Sequence, residues 1–251
     1  MNMVEIKTIA GNSYSINEAF KALRTNVQFC GANIKCIAFT SCLPNEGKSS
    51  VSLELAKSLS ESGKKVIVID ADLRKSVLVN RLSKMPDQII GLSQYLTDQD
   101  TFESIVYETQ YPNLKMIFSG PFPPNPVELL ECDRFREMIA MCKEQYDYVL
   151  IDTPPLGVVI DAAVVATLCD GTIMVIAADR SSYKIAQSVK DQLLRVNGKI
   201  LGTILNMAEN KRRVHKYRYV SKDKYYHGYK AYRYSSKSTD TANSATSEKA
   251  E

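Results

Sequence analysis

Ser41-Cys-Leu-Pro-Asn-Glu-Gly-Lys-Ser-Ser50 stands where a short apolar run gives way to a helical pattern closed by Gly63. A loop that cradles phosphates needs backbone N–H groups, a lysine for the outer oxygens, a hydroxyl for Mg²⁺ and a helix N-terminus that favours the anion. Gly47, Lys48 and Ser49 supply these, so Cys42, Leu43, Pro44, Asn45, Glu46, Gly47, Lys48, Ser49 and Ser50 form the expected nucleotide cradle. The usual first glycine of such a loop is replaced by Cys42. Two acidic elements accompany it: Val66-Ile-Val-Ile-Asp70-Ala-Asp72-Leu-Arg74 and Tyr148-Val-Leu-Ile-Asp152-Thr-Pro-Pro155. Each aspartate alone is an ordinary strand-ending turn residue. Together, at strand ends beside a phosphate loop, they provide the carboxylates that magnesium takes along with substrate phosphates. Mg-ATP is therefore the expected ligand. Arg74 keeps two readings, a phosphate contact or an ion pair with Asp72.

The elements that must hold these residues are legible as apolar runs at Lys35 to Thr40, Lys64 to Asp70, Leu114 to Phe118, Tyr148 to Asp152, Thr172 to Ala177 and Ile200 to Leu205, with helical patterns between most of them. Such alternation predicts an α/β fold of three layers, a mostly parallel central sheet covered on both faces, with ligands at the carboxyl ends of the strands. Ahead of it, Ser15 to Phe29 repeats apolar residues at Ile16, Phe20, Leu23 and Val27, and Ser15 with Glu18 has capping-box spacing, which predicts an amphipathic helix. Its polar side carries Glu18, Lys21 and Arg24, a pattern that also suits ordinary intrahelical pairs on a solvated face.

With 251 residues, 45% hydrophobic and 24% charged, the chain can bury one good core. No run approaches the ~18 apolar residues of a membrane span. Six cysteines at 30, 36, 42, 132, 142 and 169 show no C-x-x-C spacing, which fits a reducing cytosol better than a disulfide framework or a zinc site. Cys42 reads as a small loop residue rather than a redox sensor, His215 and His227 form no metal motif, and Gly120 to Pro126 reads as a linking loop. The net charge of +4 is unevenly placed: Lys211 to Tyr234 holds nine Lys/Arg against one acid, Asp223. The same segment carries Tyr217, Tyr219, Tyr225, Tyr226, Tyr229, Tyr232 and Tyr234, half of the fourteen tyrosines. Beyond it, Ser235 to Glu251 lacks aromatic and branched aliphatic residues and is expected to be disordered. The expected organisation is an N-terminal segment (1–33), a P-loop core (34–210), a basic tyrosine-rich tail (211–234) and a disordered terminus (235–251).

The glycine-poor loop ending Glu-Gly-Lys-Ser, the Asp-Ala-Asp-Leu-Arg element, the Leu-Ile-Asp-Thr-Pro-Pro strand and the tyrosine-rich tail together resemble the bacterial tyrosine kinases, specifically the free-standing cytoplasmic kinases of capsule and exopolysaccharide synthesis in Gram-positive bacteria. The resemblance spans about residues 14 to 234. It implies a P-loop NTPase fold, autophosphorylation of the seven tail tyrosines, and a role in polysaccharide production. Lys48 would hold the phosphates, Ser49, Asp72 and Asp152 would place Mg²⁺, and Asp70 would be the base for the incoming phenol, with Lys48 and Asp72 completing the catalytic set.

Glu18-Ala-Phe-Lys-Ala-Leu-Arg24 looks like the family's self-association helix, with Lys21 where arginine is usual. The implied partners are a ring-like homo-oligomer whose tails are phosphorylated in trans, protein substrates, a phosphotyrosine phosphatase, and a membrane-anchored activator of the polysaccharide chain-length regulator type. That activator would recruit a cytoplasmic chain to the inner face of the membrane. No nucleic-acid partner is expected. Two other readings stay open: a partitioning or septum-positioning ATPase switch, whose signature lysine is here Leu43, and a nucleic-acid or membrane binder using the basic tail.

Overall fold

The computed structural model describes residues 2–7, 14–84 and 89–208. The tyrosine-rich segment and the terminus beyond it, with every tail residue singled out above, lie outside the described residues. In chain order the strands are β1 (Asn2–Ile6), β2 (Cys36–Ser41), β3 (Val66–Asp70), β4 (Leu82–Lys84), β5 (Val106–Thr109), β6 (Leu114–Ile117), β7 (Tyr148–Asp152), β8 (Gly171–Ala177) and β9 (Ile200–Asn206). The helices are α1 (Tyr14–Phe29), α2 (Lys48–Glu61), α3 (Leu92–Leu96), α4 (Phe102–Ile105), α5 (Pro126–Glu131), α6 (Asp133–Gln145), α7 (Asp161–Ala166) and α8 (Tyr183–Arg195).

One sheet runs in the order β4-β1-β5-β6-β3-β7-β2-β8-β9. From β6 to β9 all pairings are parallel, as expected for strands separated by helices. Successive residues of a strand face opposite sides, and β2 shows the result: Ile37 and Phe39 join one core, Cys36 and Ala38 the other. The first core includes Val51, Leu55 and Leu59 of α2, and Phe20, Leu23 and Val27 of α1 pack there as well. Across the sheet lie Leu129 and Leu130 of α5, Phe135, Met138 and Ile139 of α6, and Val165 of α7. A smaller cluster joins Ala162, Ala163 and Ala166 of α7 to Val189 and Leu193 of α8. The three-layer expectation therefore holds, and the six expected strands are present with ends shifted by at most two residues.

The far edge departs from the expectation. β5 runs antiparallel to β6, β1 runs parallel to β5, and β4 closes that side antiparallel to β1. Residues 2–6, assigned above to a segment ahead of the core, are thus a strand of the core sheet. Helix α1 begins at Tyr14, so Ser15 lies inside its first turn instead of at its cap. Among the described residues no helix is long and apolar enough to cross a membrane, and all six cysteines are free thiols.

Candidate functional site

Strand β2 ends at Ser41 in the middle of the sheet, between β7 and β8, where the chain turns through residues 42–47 into α2. Two residues of that turn are left-handed, Asn45 (φ 62°) and Gly47 (φ 84°). Gly47 has a second reason to lack a side chain: a Cβ there would lie 2.1 Å from the Asn206 amide nitrogen. The helix starts at once, with Val51 N–H donating to the Gly47 carbonyl at 2.9 Å. Its first-turn N–H groups therefore point into the loop, as anion binding requires.

Lys48 Nζ sits 2.8 Å from Asp152 Oδ1 and 3.2 Å from Ser49 Oγ. Asp152 at the end of β7 stands in register with Asp70 at the end of β3, and both carboxyls are buried. Burial, reinforced by Asp152, pushes Asp70 up to about 8, against the opposing hydrogen bond from Ser76 and the charge of Lys48. Burial also raises Asp152, with Lys48 working against it. The Ser76 hydroxyl donates to Asp70 Oδ2.

Asp72 lies past the strand end in a tight turn, where its Oδ1 accepts from Lys75 N at 2.9 Å and Arg74 N at 3.3 Å. Arg74 departs from one of the two readings above: its Nε donates to Asp161 Oδ1 at 2.8 Å, so its ion pair is with the first residue of α7 and not with Asp72. Asp161 is fully buried, and its other oxygen has no partner among the described residues.

A cavity of about 620 Å³ opens at this end of the sheet, lined by Pro44 to Ser50, Asp72, Arg74, Lys75, Val77, Asn80 and Arg81, with Pro154, Pro155, Val158 and Val159 opposite and Met207 at the rim. That volume suits a nucleotide. A lysine, helix-start N–H groups and three basic rim residues suit its phosphates. A serine hydroxyl and hard carboxylate oxygens form the donor set magnesium prefers. Asp70 and Asp152 lie beneath the cavity instead of on its wall. Cys42 and Leu43 also stand apart from the other cradle residues, because both their N–H groups donate to Glu46 Oε2, at 2.7 and 2.8 Å. Cys42 packs in the core, and burial with the Glu46 charge pushes its thiol up to about 11, which keeps it protonated.

Several members of the site have no motif. Arg81 donates to the Ser50 hydroxyl, Arg180 to the Asn45 carbonyl at 3.1 Å, and the Asn206 amide to the Glu46 carbonyl at 2.9 Å. These contacts join residues 31 to 160 apart in sequence, so no local pattern announces them. On α1, Lys21 pairs with Glu18 at 2.8 Å and Arg24 donates to the Ser58 carbonyl of α2 at 2.8 Å. These two contacts stay within one chain.

The AAA domain family matches residues 34–200. The chain is 43% identical over 189 residues to the tyrosine-protein kinase CpsD of Streptococcus agalactiae, covering 75% of this chain and 82% of that one. Among solved structures, the kinase domain of the Escherichia coli tyrosine kinase ETK superposes with a TM-score of 0.76 at 31% identity, over 86% of each chain. The cell division ATPase MinD of Pyrococcus furiosus is more distant, with a TM-score of 0.57 at 25% identity over 68% of this chain and 71% of that one.

Proposed function

The chain belongs to the AAA domain family and is a tyrosine-protein kinase of the group that includes CpsD and ETK, and from that premise we propose that it binds Mg-ATP in the cavity over β2 and phosphorylates its own tail tyrosines, Tyr217 to Tyr234. The observation that carries this reading is that Lys48, Ser49 and Asp72 line one cavity, with Lys48 held from beneath by Asp152.

In this reading Lys48 would exchange Asp152 for the outer phosphate oxygens, and Ser49 and Asp72 would hold the metal, with Asp152 supporting them through Lys48. Bound magnesium supplies charge neutralisation for the phosphates. Phosphoryl transfer passes through a loose transition state, so positioning and charge dominate over bond-making by the protein. Arg74, fixed by Asp161, and Arg81, fixed by Ser50, add positive charge at the rim. Asp70 takes the proton of the incoming phenol, whose usual pKa of ~10 leaves it protonated in solution. Only the ionised form of Asp70 can do so, a form that burial and Asp152 disfavour and that the Ser76 hydrogen bond and the charge of Lys48 favour.

Acting in trans within a homo-oligomer, the kinase converts its own tail: each phosphotyrosine adds ~−1.5 to −2, enough in sum to invert the basic segment and loosen the assembly. A membrane-anchored activator brings the chain to the membrane and tunes capsular or exopolysaccharide synthesis, and a phosphotyrosine phosphatase resets it. Intact-mass spectrometry after incubation with Mg-ATP, alone and with an activator fragment, tests the core of this reading. Multiple phosphates mapped to Tyr217 to Tyr234, absent from Lys48→Met, are the expected result. ATP hydrolysis without any mass change would overturn it in favour of an ATPase switch.

A further inference from the structure

A carboxylate in the middle of a phosphate-binding loop is electrostatically misplaced, since it repels the anion the loop serves. Glu46 is nevertheless there, 1% exposed, directly before Gly47 and Lys48. The structure gives its side chain four donors. Oε2 accepts from the N–H groups of Cys42 at 2.7 Å and Leu43 at 2.8 Å. Oε1 accepts from Ala177 N–H, at the end of β8, at 3.0 Å and from the Ser181 hydroxyl at 2.7 Å. Four donors disperse the charge, three of them backbone amides that would otherwise be left without partners.

The consequence for the loop is specific. In a loop without its first glycine, the entrance N–H groups at 42 and 43 are turned inward onto Glu46, and the cradle is left to the left-handed turn at Asn45 to Gly47 and the first turn of α2. The same carboxylate ties that turn to β8 and to the loop that follows it. Its backbone carbonyl is gripped from β9 by Asn206, and the neighbouring Asn45 carbonyl by Arg180. The loop is thus held from the two strands on one side of β2, by the Glu46 carboxylate toward β8 and by Asn206 from β9.

We infer that Glu46 is a positioning residue for phosphoryl transfer: it folds the entrance of the loop around its carboxylate and so sets the N–H groups that receive the nucleotide phosphates. The inference rests on the site reading given above, and nucleotide binding is therefore measured separately from transfer.

The variants follow from the donor geometry. In Glu46→Gln the amide oxygen can still serve Cys42 and Leu43, and Ser181 can reverse and accept from the amide nitrogen, but Ala177 N–H then faces a donor. Glu46→Ala leaves all four donors without an acceptor. Nucleotide affinity, read with a fluorescent ATP analogue on the full chain, is expected to fall about tenfold in Glu46→Gln, the scale of one buried donor left unsatisfied, and further in Glu46→Ala. KM for ATP rises in parallel while the KM for an added tyrosine peptide stays unchanged. Ser181→Ala removes one donor without stranding a buried amide, so it should shift nucleotide affinity in the same direction but less, and its effect should shrink in a Glu46→Gln background.

A purely structural glutamate predicts otherwise: a lower melting temperature without nucleotide, and unchanged affinity and KM for ATP in the folded protein. That pattern in Glu46→Gln overturns the inference. Where Glu46→Gln does not fold, Ser181→Ala decides by the same criterion. Loss of ATP binding in Lys48→Met with normal binding in Glu46→Ala would overturn the positioning role and leave the site reading standing. Normal binding in both would refute the site reading itself.

Discussion

At the carboxyl end of the sheet Asp70 and Asp152 are pushed above the ordinary carboxylate range, whereas at the amino end Asp170 is held below it. The difference follows from strand polarity. Parallel strands begin with unpaired N–H groups and finish with unpaired carbonyls, so a carboxylate at the amino end finds donors in the backbone. Asp170 accepts from Lys35 N at 2.9 Å, from Cys36 N at 2.8 Å and from Lys143 Nζ at 2.6 Å. Lys65 N donates to Asp147 in the same way at 2.8 Å. At the other end Asp70 and Asp152 stand side by side at the last residues of their strands, and their charge must be met by something brought there. In this protein that is Lys48, and in the proposed reaction also a metal ion. Asp70 and Asp152, raised by burial, mark the working end, and Asp170, held down by backbone amides and an ammonium, marks the structural one.

The comparison breaks most sharply at Lys48. Lys48→Met leaves Asp152 buried without its cation, and loss of one partner of a buried pair costs ~3–5 kcal/mol. Urea unfolding of the nucleotide-free chain should show a fall of that order, together with complete loss of tail phosphorylation. Adding Asp152→Asn should return much of the stability, because the stranded charge is gone, yet restore no phosphorylation. A single variant as stable as the parent would mean that Asp152 does not depend on Lys48.

Asp70 sharpens the contrast through pH. Its folded value of about 8 lies above the unfolded value of ~3.9, so between those limits the folded chain holds a proton that the unfolded chain has lost. Stability from this group is complete below ~4, declines as pH rises and is lost above about 8. Melting curves in EDTA should therefore fall from pH 5 to pH 8 by an amount on the order of a few kcal/mol. Asp70→Asn should flatten that slope, keep the Ser76 contact, and abolish transfer to tyrosine. A variant with the parental slope would place the titration elsewhere.

How much of this was readable in advance divides along the same line. The six apolar strand runs, Gly63 closing α2 and the Lys48, Asp70, Asp72 and Asp152 set are carried by short local patterns, although β9 turns out half-exposed. The edge formed by β4, β1 and β5 is not, because three- to five-residue strands with mixed polarity leave no run to detect, and β1 finds its partners about eighty and a hundred residues away. Nothing near Arg74 in sequence points to its ion-pair partner, because Asp161 lies 87 residues on. Glu46 looked like one more cradle residue. Its four donors come from both sides of the loop, and two of them lie more than 130 residues away. Apolar periodicity reports what the backbone does locally; polar partnership across strand ends depends on the order of strands in the sheet, which crossovers set and no window contains.

The smallest effect belongs to the satisfied end. Burial alone would raise Asp170, but the N–H groups of Cys36 and Lys35 and the ammonium of Lys143 more than offset it and bring its value below the usual range. The sign is opposite to that of Asp70: this stability is fully present above the unfolded value of ~3.9 and is lost as pH falls through the lower folded value. Asp170→Asn presents one neutral oxygen to the two N–H groups or to the ammonium, not to both. At neutral pH it should melt below the parent, by less than Lys48→Met does, and the two curves should converge in acid as the parental carboxyl takes up its proton. Because the network lies at the opposite end of the sheet from the cavity, tail phosphorylation measured well below the melting point should stay at the parental rate. A kinase defect equal to that of Asp70→Asn in a well-folded Asp170→Asn chain would erase the division between the two ends.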